Sequence, residues 1–141
     1  ETAKKISKIL ENKNSYWINE NVFDFLKNHE SRGDKYDMII LDPPSFTKNK
    51  TTLAGATRGY KEIHLRALKM LGPGGIISTF SCSHHISSKM FLDIIRDASN
   101  DAKKSLRVIE QYSQRSDHPI ALNIPESSYL KGYSLEVISS W

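Results

Sequence analysis

Disulfides, membrane spans, repeats and charge blocks are all missing from this sequence, and each absence narrows what the chain can be. One cysteine in 141 residues excludes an internal disulfide framework and suits a reducing compartment, with the cytoplasm the expected location. No apolar run approaches the roughly 18 residues that span a bilayer, and no basic-then-apolar signal segment opens the chain. No internal repeat, low-complexity tract or linker interrupts it. An initiator methionine is also lacking. Residues 1–10 open inside an amphipathic helix with Ala3, Ile6, Ile9 and Leu10 on one face, so the chain is expected to be a piece of a longer protein. The 20 basic residues outnumber the 16 acidic ones without forming a run. A net charge of +4 leans toward a polyanionic partner and predicts no disordered basic tail.

What is present is the balance of one globular domain with a core, 38% hydrophobic and 26% charged. Its organising stretch is YDMIILDPPSF at 36–46. Met38 to Leu41 show no apolar/polar alternation, which predicts a fully buried parallel strand over 36–41. Pro43 and Pro44 have no N–H and fix φ, so the strand must end in a stiff turn. Ligands of open α/β sheets bind at the carboxyl ends of such strands, which puts Asp42 at the mouth of a site. A bare Asp-Pro is most simply a turn; Asp-Pro-Pro after four apolar residues points to a functional one.

Around this stretch the elements alternate. Tyr16–Ile18 is a short strand candidate, and Asn21 can cap a helix beginning at Val22. Tyr60, Ile63, His64, Ala67, Leu68 and Leu71 repeat at helical spacing, predicting a helix over about 56–71 that Gly72-Pro73-Gly74-Gly75 terminates. A buried strand at 76–81 follows. Ser87 can cap a helix to about Ala102 with Phe91, Ile94, Ile95 and Ala98 inward. Strands at 106–112 and 133–138, with no helix between them, suggest an antiparallel pair at the edge of an otherwise parallel α/β sheet.

Four stretches carry a family resemblance: YDMIILDPPSF (36–46), RGYKEIHLRAL (58–68), LGPGGIISTFSCSHH (71–85) and DHPIALNIPESSYLKGYSLEV (117–137). Together they resemble the bacterial large-subunit ribosomal RNA cytosine-C5 methyltransferases that normally carry an N-terminal PUA domain. The resemblance runs from about residue 16 to 138. It implies a Rossmann-like class I methyltransferase sheet truncated at the N-terminus. Residues 1–141 would be a partial domain running from the third strand to the last, without the glycine-rich loop and the ribose-binding acid. S-adenosyl-L-methionine (AdoMet) is the implied cofactor. Asn21 and Val22 fall at the adenine position, where the family usually has Asp, and Asp42 and Pro43 also border the cofactor. With half of that pocket absent, the isolated chain is expected to bind AdoMet poorly, and its unpaired strand edges favour a homo-oligomer. Ribosomal RNA is the implied partner, with no membrane involved.

The residues allow the chemistry. Carbon 5 of cytosine becomes nucleophilic once a thiolate adds to C6, which requires a cysteine at a strand end beside a group that holds the base. Cys82 follows the 76–81 strand next to the strand ending in Asp42, so these two are the expected catalytic pair. Pro44, Phe46, Arg58 and Tyr60 are the expected substrate contacts, the two rings for stacking and Arg58, with Lys48, Lys50 and Lys61, for the backbone. A lone cysteine is otherwise a small buried hydrophobe. His84 and His85 are too few for a zinc site, so no metal is expected. Two alternatives remain open at this point: methylation of a guanine or adenine nitrogen, which needs Asp-Pro-Pro but no cysteine, and a non-catalytic RNA-binding module.

Overall fold

The computed structural model describes residues 2, 5, 6, 14–46 and 52–141. Most of the helix expected over 3–10, together with Lys48 and Lys50, lies outside the described residues. In order, the elements are α1 (Val22–Ser31), β1 (Tyr36–Leu41), α2 (Leu53–Lys69), β2 (Leu71–Ser81), α3 (Ser88–Asp101), β3 (Lys104–Ser113), a short 3-10 turn at Pro125–Ser127, and β4 (Lys131–Ser140). The sheet order is β1-β2-β4-β3. β1 and β2 are parallel, and β4 runs antiparallel to both β2 and β3. The expected antiparallel pair therefore sits at the edge, with the last strand inserted beside β2.

Local chemistry accounts for the helices. The Asn21 side chain accepts from the Phe23 N–H at 2.9 Å and starts α1; Ser87 accepts from Met90 N–H at 3.2 Å and starts α3. Phe91, Ile94, Ile95 and Ala98 all face inward as the spacing predicts. On α2 the stripe Tyr60, Ile63, His64, Ala67 and Leu68 is buried. These side chains join Leu41, Ile77, Tyr133, Leu135 and Val137 in one core cluster on a single face of the sheet. Glu30 at the end of α1 takes Arg66 at 2.5 Å and Lys69 at 2.8 Å, tying α1 to α2.

Three expectations need correcting. β1 is not fully buried: only Leu41 is, while Met38 is 50% and Ile40 63% exposed. β1 pairs with β2 alone, and the helices cover only the face that Ile39 and Leu41 point to. Tyr16–Ile18 forms no strand and its three side chains are exposed, since no neighbouring strand offers it a ladder. The glycine segment does not cap α2. That helix ends at Lys69, Met70 keeps right-handed helical geometry, and residues 72–75 belong to β2. They form the irregularity at which the register jumps from Tyr36↔Leu71 to Met38↔Ile76, with Gly74 at φ +81°. No helix of the described residues is long and apolar enough to cross a membrane.

His64 binds α2 to β2. It is fully buried; its Nδ1 faces the Tyr60 carbonyl at 2.6 Å and its Nε2 the Thr79 hydroxyl at 2.8 Å. A carbonyl only accepts, so Nδ1–H donates and Nε2 accepts from Thr79. Burial pushes the imidazole down to about 4, with the Tyr60 carbonyl offsetting part of the effect. The unfolded chain binds this proton from about pH 6.5 downward, whereas the folded one resists until near 4. Stability from this residue is thus complete above pH 6.5 and is lost as the pH falls to 4, on the order of 3 kcal/mol in all. Urea unfolding at pH 7, 5.5 and 4 should show this decline, and the double substitution His64→Leu, Thr79→Val should flatten it. An unchanged slope would assign the acid sensitivity elsewhere.

Candidate functional site

Two strand ends define the site. Leu41 lies opposite Thr79 in the parallel ladder, so Asp42 leaves β1 at the level of Phe80, and Cys82 leaves β2 two residues further along the same rim of the sheet. Adjacent strands lie roughly 5 Å apart and each residue advances roughly 3.3 Å, which puts the two positions on the order of 8 Å apart. Asp42 is exposed, and among the described residues nothing is hydrogen-bonded to its carboxylate. Cys82 is a free thiol of intermediate exposure. A half-open thiol can react, unlike a packed one.

Tyr60 joins the two ends. Its hydroxyl is 3.0 Å from Ser81 Oγ, and the Phe46 N–H donates to it from the loop beyond Asp-Pro-Pro. Either hydroxyl of the Tyr60–Ser81 pair can donate, and the Ser81 oxygen also accepts from Ser83 N–H at 3.3 Å. One hydroxyl thus anchors the turn after Asp42 and the residues on either side of Cys82. Burial pushes the Tyr60 phenol up, and the nearby Cys82 and Asp42 charges push it the same way. This ring offers no stacking surface: it is fully buried, 4.7 Å from the Phe46 ring and 5.6 Å from Phe91. Phe46, half-buried on top of it, keeps the exposed position. Gly59 makes room for it, because a Cβ there would stand 3.3 Å from the Phe46 ring.

The other expected residues fall around this rim. Phe23 in the first turn of α1 meets Phe46 at 5.9 Å, which brings Asn21 and Val22 alongside the Asp-Pro-Pro turn. Asn21 spends one lone pair on its cap. Val22 is exposed and lines a hollow of about 220 Å³ with Ile18, Glu20 and Phe25. Pro43 is half-buried, Pro44 exposed, and Arg58 exposed on the first turns of α2. Lys61 is held instead by Asp101 of α3 at 2.8 Å. The His84 ring lies tilted against Tyr129 at 5.7 Å, and His118 meets the same ring edge-on at 6.4 Å. No group of three or more His, Cys, Asp or Glu able to hold a metal exists among the described residues.

Lys131 was legible only as a structural residue, yet it belongs to this rim. Its ammonium is buried and donates to the carbonyls of Ser83 and Ile86 at 2.6 and 2.7 Å. The only hint in the sequence is a lysine placed two residues before a clean strand pattern.

The Tyr60 hydroxyl can be removed without emptying its place. Tyr60→Phe keeps the ring packing and strands the Phe46 N–H, so it should cost about 1–2 kcal/mol in urea unfolding. Amide exchange should accelerate at Phe46 and Ser83 while α1 is unaffected. Unchanged protection at Phe46 would show that the loop is held by something else.

No protein-family model matches the chain. Over 122 residues, 86% of its length, it is 46% identical to the ribosomal RNA large subunit methyltransferase I of Salmonella arizonae, of which it covers 30%. Over the same share of its length it is 45% identical to the enzyme of that name from Serratia proteamaculans, of which it covers 31%. The chain therefore spans about a third of the curated relatives it matches. Among solved structures, it superposes on a protein described as a methyltransferase, complexed with SAH, with a TM-score of 0.70 at 25% identity, over 84% of this chain and 30% of that one. A methyltransferase homologue from Pyrococcus horikoshii gives 0.65 at 15% identity over 96% and 49% of the two chains, a likeness of fold. The chain thus has the Rossmann-like fold of SAM-dependent methyltransferases, and its curated relatives are methyltransferases of the ribosomal RNA large subunit.

Proposed function

We propose that this chain is the catalytic part of an AdoMet-dependent ribosomal RNA methyltransferase that modifies carbon 5 of cytosine through a covalent adduct with Cys82. The observation that carries the reading is the pairing, on one rim, of a half-exposed thiol and an exposed carboxylate with no hydrogen-bond partner among the described residues, each at the end of one of two adjacent parallel strands. Nitrogen methylation would use the carboxylate and leave the thiol without a task.

The cysteine thiolate adds to C6 of the ring, and the displaced electron pair makes C5 enamine-like. AdoMet, held by Asn21, Val22, Asp42 and Pro43, would supply the electrophilic methyl group for C5, with S-adenosylhomocysteine as the leaving group. A base then removes the C5 proton, the C6–S bond breaks, and the thiolate returns to Cys82. Asp42 accepts from the exocyclic amino group and from N3 as that nitrogen takes up a proton, so it holds the base and stabilises the adduct together. Phe46 offers the stacking face, and Pro44 and Arg58 flank the path of the RNA.

The residues present fit one side of the cofactor. Val22 and its hollow can take an apolar ring face, and Asn21 keeps a second carbonyl lone pair for an amino donor. Asp42 and Pro43 would meet the cofactor from the neighbouring turn, which the Phe23–Phe46 contact links to α1. Nothing in the described residues encloses the opposite side. Calorimetry on the 141-residue chain should therefore give a dissociation constant for AdoMet weaker than about 1 mM; sub-millimolar binding would show that these residues suffice.

The decisive experiment uses the full-length protein with ribosomal RNA containing 5-fluorocytosine. Fluorine at C5 cannot leave as a proton does, so a denaturation-resistant protein–RNA adduct should accumulate and should vanish in Cys82→Ala. On ordinary RNA, Asp42→Asn should lower kcat about 10²-fold or more while the thiol remains intact. Methyl transfer without any adduct would assign the activity to a ring or amino nitrogen and return Cys82 to a packing role.

A further inference from the structure

We infer that Lys131 is a positioning residue for Cys82: its ammonium clamps the Ser83–Ile86 turn that follows the cysteine and sets a buried positive charge beside the sulfur. The inference rests on Cys82 being the nucleophile. Lys131 begins β4 directly opposite Ser81, so it enters the sheet at the level of the residue before Cys82. Its two carbonyl acceptors, Ser83 and Ile86, bracket the turn that the Ile86 N–H closes onto Ser83 O at 3.3 Å. The cysteine is therefore held by Tyr60 through Ser81 on one side and by Lys131 through Ser83 on the other.

An ammonium is a costly choice for that task. Only 6% of the residue is exposed, and carbonyl dipoles return part of the hydration that burial removes. No carboxylate pairs with it among the described residues. Burial pushes the Lys131 ammonium below its ordinary range, and the anionic group that pulls it back is Cys82. Two of its three N–H bonds are spent on the turn, which leaves one. The Ser83 hydroxyl, 1% exposed, also lacks a partner, a second unspent polar group next to the cysteine.

A thiolate is needed twice in the proposed cycle, when sulfur attacks and when it leaves. A fixed positive charge assists both without giving up its proton. The other titratable groups around the sulfur do not supply one. The Asp42 carboxylate at the end of β1 opposes it, Tyr60 on α2 is a neutral phenol, and the His84 and His85 imidazoles lie in the turn itself.

The test follows alkylation of Cys82 by iodoacetamide in the full-length protein, read by peptide mass spectrometry from about pH 6 to 9. Lys131→Gln keeps a donor and removes the charge; it should slow alkylation at neutral pH about tenfold and move the profile upward. Lys131→Arg should restore the rate to within about threefold of the parent. Formation of the 5-fluorocytosine adduct should fall and recover in the same order. A lysine that only shapes the turn would shift the melting temperature and leave the alkylation profile in place, which overturns the inference. A second measurement does not depend on Lys131→Gln folding. In Cys82→Ala, the NMR titration of 13C-labelled Lys131 should move to lower pH, and an unmoved titration overturns the inference equally. Neither readout needs RNA or AdoMet. An intact Lys131–Cys82 linkage in a protein that forms no adduct would therefore reject the cytosine-C5 reading and not the pairing.

Discussion

The rim depends on two parallel strands ending side by side, and that alignment is held from the helix beneath. β1 and β2 lie in register to Leu41↔Thr79. α2 packs on β2 and reaches it with two buried polar side chains, His64 to Thr79 and Tyr60 to Ser81. Both contacts lie in a core cluster where an unmade hydrogen bond is expensive, so α2 and β2 cannot slip past each other cheaply. Tyr60 then carries the constraint across to the β1 side by receiving the Phe46 N–H. Between Asp42 and Phe46 the backbone has few donors of its own, because Pro43 and Pro44 have none. A single phenol thus does for the Asp-Pro-Pro turn what a ladder of backbone bonds does for an ordinary strand.

Features signalled by chemistry close along the chain were legible. Strand 36–41, the caps at Asn21 and Ser87, the inward stripe of α3 and the closing antiparallel pair all match their sequence patterns. Asp42 and Cys82 could be placed because strand ends before Pro-Pro and before a Ser-capped helix are readable. What depends on distant partners was not. An apolar run shows that a strand could be covered on both faces, but it does not show that cover is present, and Met38 and Ile40 lack it. Tyr16–Ile18 has strand-like composition and no strand to pair with among the described residues. Tyr60 reads equally well as a stacking ring or as a core stripe; only the packing of Phe46 and Phe91 around it decides. Lys131 is buried by its pairing with Ser81, a residue 50 positions earlier.

The uncovered face of the sheet is graded. In one row across it, Met38 and Ile76 on β1 and β2 give way to Glu136 and Arg107, which pair at 2.6 Å. In the next, Ile40 gives way to Ser78 and Ser134 at 2.6 Å, with the Tyr112 hydroxyl 3.2 Å from Ser134. The polar half satisfies itself and tolerates water. The apolar half does not: covering Met38 or Ile40 would contribute about 1–2 kcal/mol apiece. On this face the exposed apolar side chains include Met38 and Ile40 on β1 and Ile138 on β4, and β1, whose end carries Asp42, has no second strand partner among the described residues. Whatever packs there also sets the position of the carboxylate, so completing the fold and completing the site are one event at this strand.

The same concentration appears among the polar groups that weaken the fold. Asp42 has no partner among the described residues, Ser83 Oγ is buried without one, and Lys131 is a buried charge bound only to carbonyls. Ser83 Oγ and Lys131 run against the rule that buried polar groups are satisfied and buried charges paired, at a cost of about 1–3 kcal/mol for an unsatisfied group, whereas Asp42 is exposed. Elsewhere the described chain obeys the rule closely. His64 has both nitrogens bonded, and Glu30 and Arg66 are matched across α1 and α2. Random imperfection would scatter such exceptions over the molecule. Instead they lie within a few residues of Cys82 or on the strand end beside it. A fold selected only for stability would fill this rim with apolar side chains or pair its charges. That it does neither is the physical argument for placing the chemistry there, independent of any relative's name.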